Sequence, residues 1–315
     1  KKVLPTSSLE KKCLHFFNLI QPDVVLTGIS GPDDGLDEII IKIAFENSVK
    51  SYSLQSFWGH VNVNLGYVPD NIFVIDEYSK ILTQKNVLSN VIVSGIPAYE
   101  IYDDMDLNKL YQKNKKLSIN KNFELKVCFY SQPFFEIKGY KETILNFIEE
   151  LNKIKIKTII NYRPPPKETA AQTKWSISKF NQTVHFFEID RKPIEDSLMI
   201  NDAIVSIFST CSYDLQQLQL RCQKTLGVSI FLLFNKDMFS WYKKFSGLDI
   251  LPIAKSGSIV VKKKKKLSDE ILRLTNVHEK EKLWNKENSN LYVGLKPSQI
   301  IINKIISDNS KKLGT

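Results

Sequence analysis

Asn201-Asp202-Ala203-Ile204-Val205-Ser206-Ile207-Phe208-Ser209-Thr210-Cys211-Ser212-Tyr213-Asp214 is the stretch that decides how the chain reads. A short apolar, β-branched run from Ala203 to Phe208 breaks at Ser209-Thr210. Beyond the break, Cys211, Leu215, Leu218 and Cys222 recur at spacings of four, three and four. The pattern predicts a buried strand that turns directly into an amphipathic helix, with two hydroxyl residues at the turn. A helix start presents N–H groups without intrahelical partners and a partial positive charge, so hydroxyls there suit a phosphate. Ser209 or Thr210 serving only as an ordinary helix cap is the plainer use of the same residues.

The same grammar repeats on either side. Upstream, strands are expected at 125–130, 156–162 and 184–189, with helices at 140–152, about 169–180 and about 194–200. Downstream, a strand is expected at 228–234 and two closing helices at about 268–287 and 297–307. The first third alternates likewise, with helices at 7–20 and after Gly35 and strands at 23–29, 51–56, 69–76 and 90–97. Strands apolar on both faces alternating with helices specify α/β architecture with parallel sheets. The polar stretch between Asp103 and Asn122 reads as a linker. The expected organisation is a Rossmann-like domain at 1–110, a linker at 111–122, and a second Rossmann-like domain at 123–315, the two facing one another across a cleft. The chain opens on Lys1 rather than Met, which leaves room for preceding residues.

Hydrophobic residues at 43% and charged residues at 25% describe a globular protein with no disordered bias, and no apolar run approaches the ~20 residues needed to cross a bilayer. The opening residues lack a signal-peptide core, and Cys13, Cys128, Cys211 and Cys222 show no paired spacing. A reduced, cytoplasmic protein with no metal site is therefore expected. The net charge of +10 invites a polyanion or membrane-surface reading. Much of that excess sits in the runs around Lys113–Lys116 and Lys262–Lys266, arginines are few, and no nucleic-acid motif accompanies them. Nucleic acid is thus not an expected partner, whereas weak attraction to anionic head groups at the inner face of a membrane is compatible with the composition.

In parallel sheets ligands sit outside the carboxyl ends of strands, which selects the site residues. Arg163, followed by three prolines, displays a guanidinium from a stiff loop and pairs naturally with Ser209 and Thr210 around a phosphate. Ser131 and Glu188 are further donor-side candidates. Asp33-Asp34-Gly35 offers a general base, although acidic residues also favour a first helical turn for the dipole alone. His60 is a second base candidate or a structural histidine. Ser30 and Trp58 are acceptor-side candidates, with Trp58 stacking on a sugar or filling core.

These motifs resemble the bacterial nucleotide-sugar glycosyltransferases of the GT-B type. Pro22-Asp23 through Ser30, Pro69-Asp70 with Ile75-Asp76-Glu77 and Lys80, and Val91 through Pro97 are similar to their N-terminal strands. Asp202 to Asp214 with Gly227 resembles their donor-binding strand-turn-helix. The resemblance implies that Asp214 holds a ribose. A narrower likeness to sialyl- and related acid-sugar transferases rests on Asp33-Asp34-Gly35 and Ser209-Thr210, and implies Asp33 as base. Pro165-Pro166 stands where those enzymes carry His-Pro, a departure that weighs against a CMP-acid sugar and leaves UDP-type donors. The implied activity is inverting, metal-independent transfer of a sugar from a UDP- or CMP-type nucleotide-sugar to a saccharide or lipid-linked hydroxyl acceptor in surface polysaccharide synthesis, with no resident cofactor. A nucleotide-sugar 2-epimerase on the same scaffold is the alternative, and a non-catalytic polyanion or membrane-surface binder the second.

Overall fold

The computed structural model describes residues 6–29, 35–120, 122–254, 257–288 and 296–313. In chain order the elements are α1 (Thr6–Ile20), β1 (Val24–Thr27), α2 (Leu36–Glu46), β2 (Lys50–Leu54), β3 (Asn71–Val74), α3 (Glu77–Gln84), β4 (Asn90–Val93), α4 (Leu107–Asn120), β5 (Leu125–Tyr130) and α5 (Tyr140–Leu151). They continue with β6 (Thr158–Arg163), α6 (Ala170–Phe180), β7 (Phe186–Ile189), α7 (Ile194–Ile200), β8 (Ala203–Ser206), α8 (Cys211–Cys222), β9 (Val228–Leu232), α9 (Lys236–Ser246), β10 (Ile259–Val261), α10 (Leu267–Leu272), α11 (Val277–Asn288) and α12 (Pro297–Leu313).

The chain divides into two compact units. One comprises Lys1–Glu100 with Tyr292–Thr315, the other Ile101–Leu291. The first unit holds a four-stranded parallel sheet in the order β1-β2-β3-β4. Cys13, Phe17, Ile39 and Ile43 pack with Val25 in one core cluster, and Tyr52, Phe73 and Ile301 form another. The second unit holds a six-stranded parallel sheet in the order β10-β9-β8-β5-β6-β7. Its strands β8 and β9 are buried at every position, as the unbroken apolar runs demand of a sheet covered on both faces. Phe129, Phe147, Tyr162 and Phe180 interlock against it, with ring centroids 5.2–6.4 Å apart.

Three expectations are corrected. The stretch 111–122, expected as a linker, is instead mostly helix: α4 runs from Leu107 to Asn120. Its polar composition conceals two buried anchors, Leu107 and Asn114, and the Asn114 amide donates to Asp196 Oδ1 at 2.6 Å on α7. The closing helix α12 does not stay with the second sheet as 123–315 would require. It returns to the first unit, where Tyr52 donates to Asp308 at 2.8 Å, Lys50 lies 3.1 Å from the same carboxylate, and Ser298 bonds Glu100. The helix expected over 268–287 is broken into α10 and α11 by the tight turn Arg273–Thr275 and by extended backbone at Asn276.

Gly227, just before β9, is fixed by space. A Cβ there would lie 2.4 Å from the backbone oxygen of Asn201, so only glycine lets the two segments meet.

Candidate functional site

In the second unit the chain leaves β5 towards β6 and β7, then crosses over to β8, β9 and β10. Strand order therefore reverses between β5 and β8, the position at which ligands settle in open parallel sheets. The ends of those two strands are tied together, since the buried Phe208 N–H donates to Gln132 Oε1 at 3.0 Å. The two hydroxyls at the turn divide their labour. Ser209 Oγ accepts from Cys211 N at 3.2 Å and acts as the local cap. Thr210 makes no side-chain cap bond, and its exposed hydroxyl stands at the head of α8. One turn further in, Asp214 accepts from Tyr102 Oη at 3.0 Å; burial, and then that carboxylate, push the Tyr102 phenol well above its ordinary value.

Arg163 ends β6, two strands from β8, a separation of ~10 Å at the usual strand spacing. Its Nη1 donates to Asp190 Oδ2 at 3.2 Å and to the Lys192 carbonyl at 2.7 Å, and the guanidinium carbon lies 5.9 Å from the Tyr130 ring centre. Asp190, 2% exposed, sits at the carboxyl end of β7 and also accepts from Lys192 N. The other guanidinium nitrogens have no partner among the described residues. The Arg163 charge is felt at α8: burial pushes the Cys211 thiol up, while the Ser209 bond and Arg163 pull it back.

Ser131, at the end of β5, lies in a closed relay. It donates to Glu168 Oε2 at 2.9 Å and meets Tyr140 Oη at 2.9 Å. Gln132 N donates to the same phenol, and Tyr162 bonds the other Glu168 oxygen. Burial raises both phenols well above their ordinary value. Glu188 is not with this group. It is exposed on edge strand β7 and lines a small hollow with Asn114, Leu117 and Lys126.

In the first unit, Ser30, Asp33 and Asp34 lie outside the described residues. His60 is half-buried; burial lowers its pKa and the Glu38 charge opposes this. Glu38 is itself buried, 4% exposed, and accepts at 2.9 Å from the N–H of Gly35, the residue that follows Asp33-Asp34 in sequence. Trp58 is core: it is 4% exposed, and its indole N–H donates to Asp76 Oδ2 at 2.8 Å, which also caps α3. Glu38 and Asp190 are the residues that strand-end reasoning left without a role. For Asp190 the signal was present, since it closes the strand Phe186–Ile189 as Arg163 closes its neighbour.

No family model matches the chain, and no curated protein matches it in sequence. Solved structures do. The S. aureus MnaA–UDP co-structure superposes with a TM-score of 0.64 at 14% identity, over 98% of this chain and 80% of that one. UDP-GlcNAc 2-epimerase from Neisseria meningitidis bound to UDP-GlcNAc gives 0.59 at 13% identity, over 96% and 81%. MurG from Acinetobacter baumannii gives 0.54 at 12%, over 98% and 82%. The fold is GT-B. Among the described residues no group of three His, Cys, Asp or Glu is arranged to hold a metal ion, and no helix is long and apolar enough to cross a membrane.

Proposed function

We propose that the protein is a nucleotide-sugar enzyme that seats the phosphates of a UDP-type ligand at the head of α8. The observation carrying this is the switch point itself: a Thr210 hydroxyl without a cap bond at a helix start, where strand order reverses between β5 and β8, with guanidinium nitrogens of Arg163 still open. A helix head and a cation meet the charge of a phosphate leaving group without a metal. Asp214 is proposed for the ribose, and Ser131 and Gln132 for shaping the pocket floor. No resident cofactor is assigned.

For the reaction, 2-epimerisation of a UDP-N-acetylhexosamine is the first reading, supported by neighbours of this fold that are UDP-GlcNAc 2-epimerases, one holding UDP-GlcNAc and one from Methanocaldococcus jannaschii holding UDP-GlcNAc and UDP. Inverting transfer to a hydroxyl acceptor is the second, favoured by the poverty of uncommitted acids and bases around the switch point: Glu168 and Asp190 are both already bonded. His60, neutral at neutral pH, is the base proposed among the described residues, beside Asp33 and Asp34 by resemblance. A saccharide or lipid-linked acceptor and contact with a membrane surface belong to the transfer reading alone.

Thermal unfolding in UDP, GDP and CMP and their sugars tests the common part, because a ligand that binds the folded state raises Tm. UDP compounds are expected to raise it. Thr210→Ala is expected to leave the ligand-free Tm unchanged and to shrink the rise. Absence of any nucleotide response would reject the assignment. Incubating UDP-N-acetylglucosamine without acceptor, with NMR detection of the C2 epimer, separates the two reactions.

A further inference from the structure

Beyond the carboxyl ends of β9 and β10 lies an open hollow of about 490 Å³, lined by Glu142 and Asn146 of α5, Asn235 and Lys236 at the start of α9, and Lys262 and Lys263 after β10. None of the roles assigned above uses it. One wall is rigidly built. Asn235 Oδ1 accepts from Asp237 N at 3.0 Å and Met238 N at 3.2 Å, while its amide donates to Glu142 Oε2 at 3.0 Å. Gly139, at φ +90°, lets this side chain approach; a Cβ there would meet Asn235 Oδ1 at 2.2 Å.

The charges on the lining do not balance. Lys264 is committed to Asn146 Oδ1 at 2.8 Å and Glu149 Oε2 at 2.6 Å, and Asp237 has Lys138 at 3.2 Å. Lys236, Lys262 and Lys263 have no ion pair or side-chain hydrogen bond among the described residues. Three unpaired lysines set against the single Glu142 carboxylate leave the lining net positive, and an anion seated on the lysine side relieves their mutual repulsion. The remaining lining chemistry suits hydroxyls: Asn146 keeps its amide nitrogen and Glu142 one carboxylate oxygen without a partner among the described residues. The one aromatic in the lining is Phe234 and no arginine is present, which is a poor set for stacking or reading bases. Because β9 neighbours β8, the hollow begins about one strand spacing, ~5 Å, from the strand that leads into α8.

We propose that this hollow binds the acid group, carboxylate or phosphate, of a negatively charged saccharide, as a second substrate or chain segment beside the nucleotide. The second-substrate role rests on the nucleotide-sugar reading; the binding itself does not. The test uses the full chain, titrated with tetragalacturonate for the carboxylate arm, glucose 6-phosphate for the phosphate arm, and maltotetraose as the neutral control. Variants are the triple Lys236→Gln, Lys262→Gln, Lys263→Gln and a charge-matched control at the exposed Lys115, Lys116 and Lys174. At least one acidic probe is expected to bind more tightly than maltotetraose, to weaken with salt, and to lose roughly tenfold in the first triple but not in the control. Both variants should keep the thermal response to UDP. Equal loss in the control, no preference over maltotetraose, or equally tight binding of a single-stranded oligonucleotide lost in the same variant would overturn the proposal. A wild-type protein that binds the acidic probe but answers to no nucleotide would support the hollow and overturn the nucleotide-sugar reading and the second-substrate role.

Discussion

Arg163 holds two relationships at once, one with buried Asp190 and one with the charge environment of α8. Replacing it by Met leaves the almost fully covered Asp190 carboxylate with the Lys192 ammonium, 3.5 Å away, as its remaining cation, which is expected to cost about 1–3 kcal/mol in urea unfolding. Adding Asp190→Asn should restore most of that loss while the response to nucleotide stays weakened. A double variant that binds UDP as wild type does would show that the guanidinium only neutralises Asp190. His60 gives a second residue-scale expectation. Its folded pKa lies below the ordinary 6.5, so the unfolded chain binds its proton first. The stability tied to the neutral ring is complete above about 6.5 and drains away as pH falls through the folded value. Stability curves of wild type and His60→Gln should therefore converge on acidification, and parallel curves would contradict the placement. The sequence made the two hydroxyls at 209–210 visible because they interrupt an apolar run. It did not show which one caps, since that depends on which hydroxyl an N–H of the first helical turn reaches, and Cys211 N reaches Ser209. Nor could it show that Arg163 is engaged, because Asp190 comes 27 residues later and meets it only through strand pairing.

At the scale of elements, strand-turn-helix segments with two-sided burial were legible and polar or short ones were not. The segment β8–α8 announces itself by a period that changes from continuous to helical. By contrast, among its described side chains α4 buries Leu107 and Asn114, and that amide anchor looks like loop composition. The three-residue strand β10 is enclosed by Ser-Gly-Ser and lysines, so its pairing with β9 through Ile259–Val261 leaves almost no signature. Helix α9 was missed although Asn235 caps it and Gly247 ends it in the left-handed region. The joint between α5 and α9 is the tightest of these features. Gly139→Ala is expected to lower stability by about 2 kcal/mol or more, from positive φ combined with the clash on Asn235. Asn235→Ala should relieve the clash but remove the cap. Equal unfolding midpoints for Gly139→Ala and wild type would refute that close approach.

For the whole molecule, alternation of strand and helix sufficed to name two parallel-sheet units, because only such sheets bury strands on both sides. It could not reveal that the chain returns: the apolar spacing of Ile300, Ile301 and Ile305 fits any sheet face, and only Tyr52, Lys50 and Glu100 decide the match. Burial pushes the Asp308 carboxyl up, yet bonds from Lys304, Tyr52 and Lys50 outweigh it and hold the pKa at about 2. The corresponding stability is present above the ordinary 3.8 and is lost as pH falls through about 2, on the order of 2 kcal/mol. The difference in Tm between wild type and Asp308→Asn should shrink over that interval, and a gap indifferent to pH would rule out the ion cluster as its source.

Helix α12 also fixes an order of events during translation. Tyr52 and Phe73 leave the ribosome early, but the isoleucine that covers them, Ile301, is made after every strand of the second sheet. A nascent chain halted near residue 290 should therefore protect the later-made unit from protease while the earlier-made one is still cut, the reverse of the usual amino-terminal-first sequence.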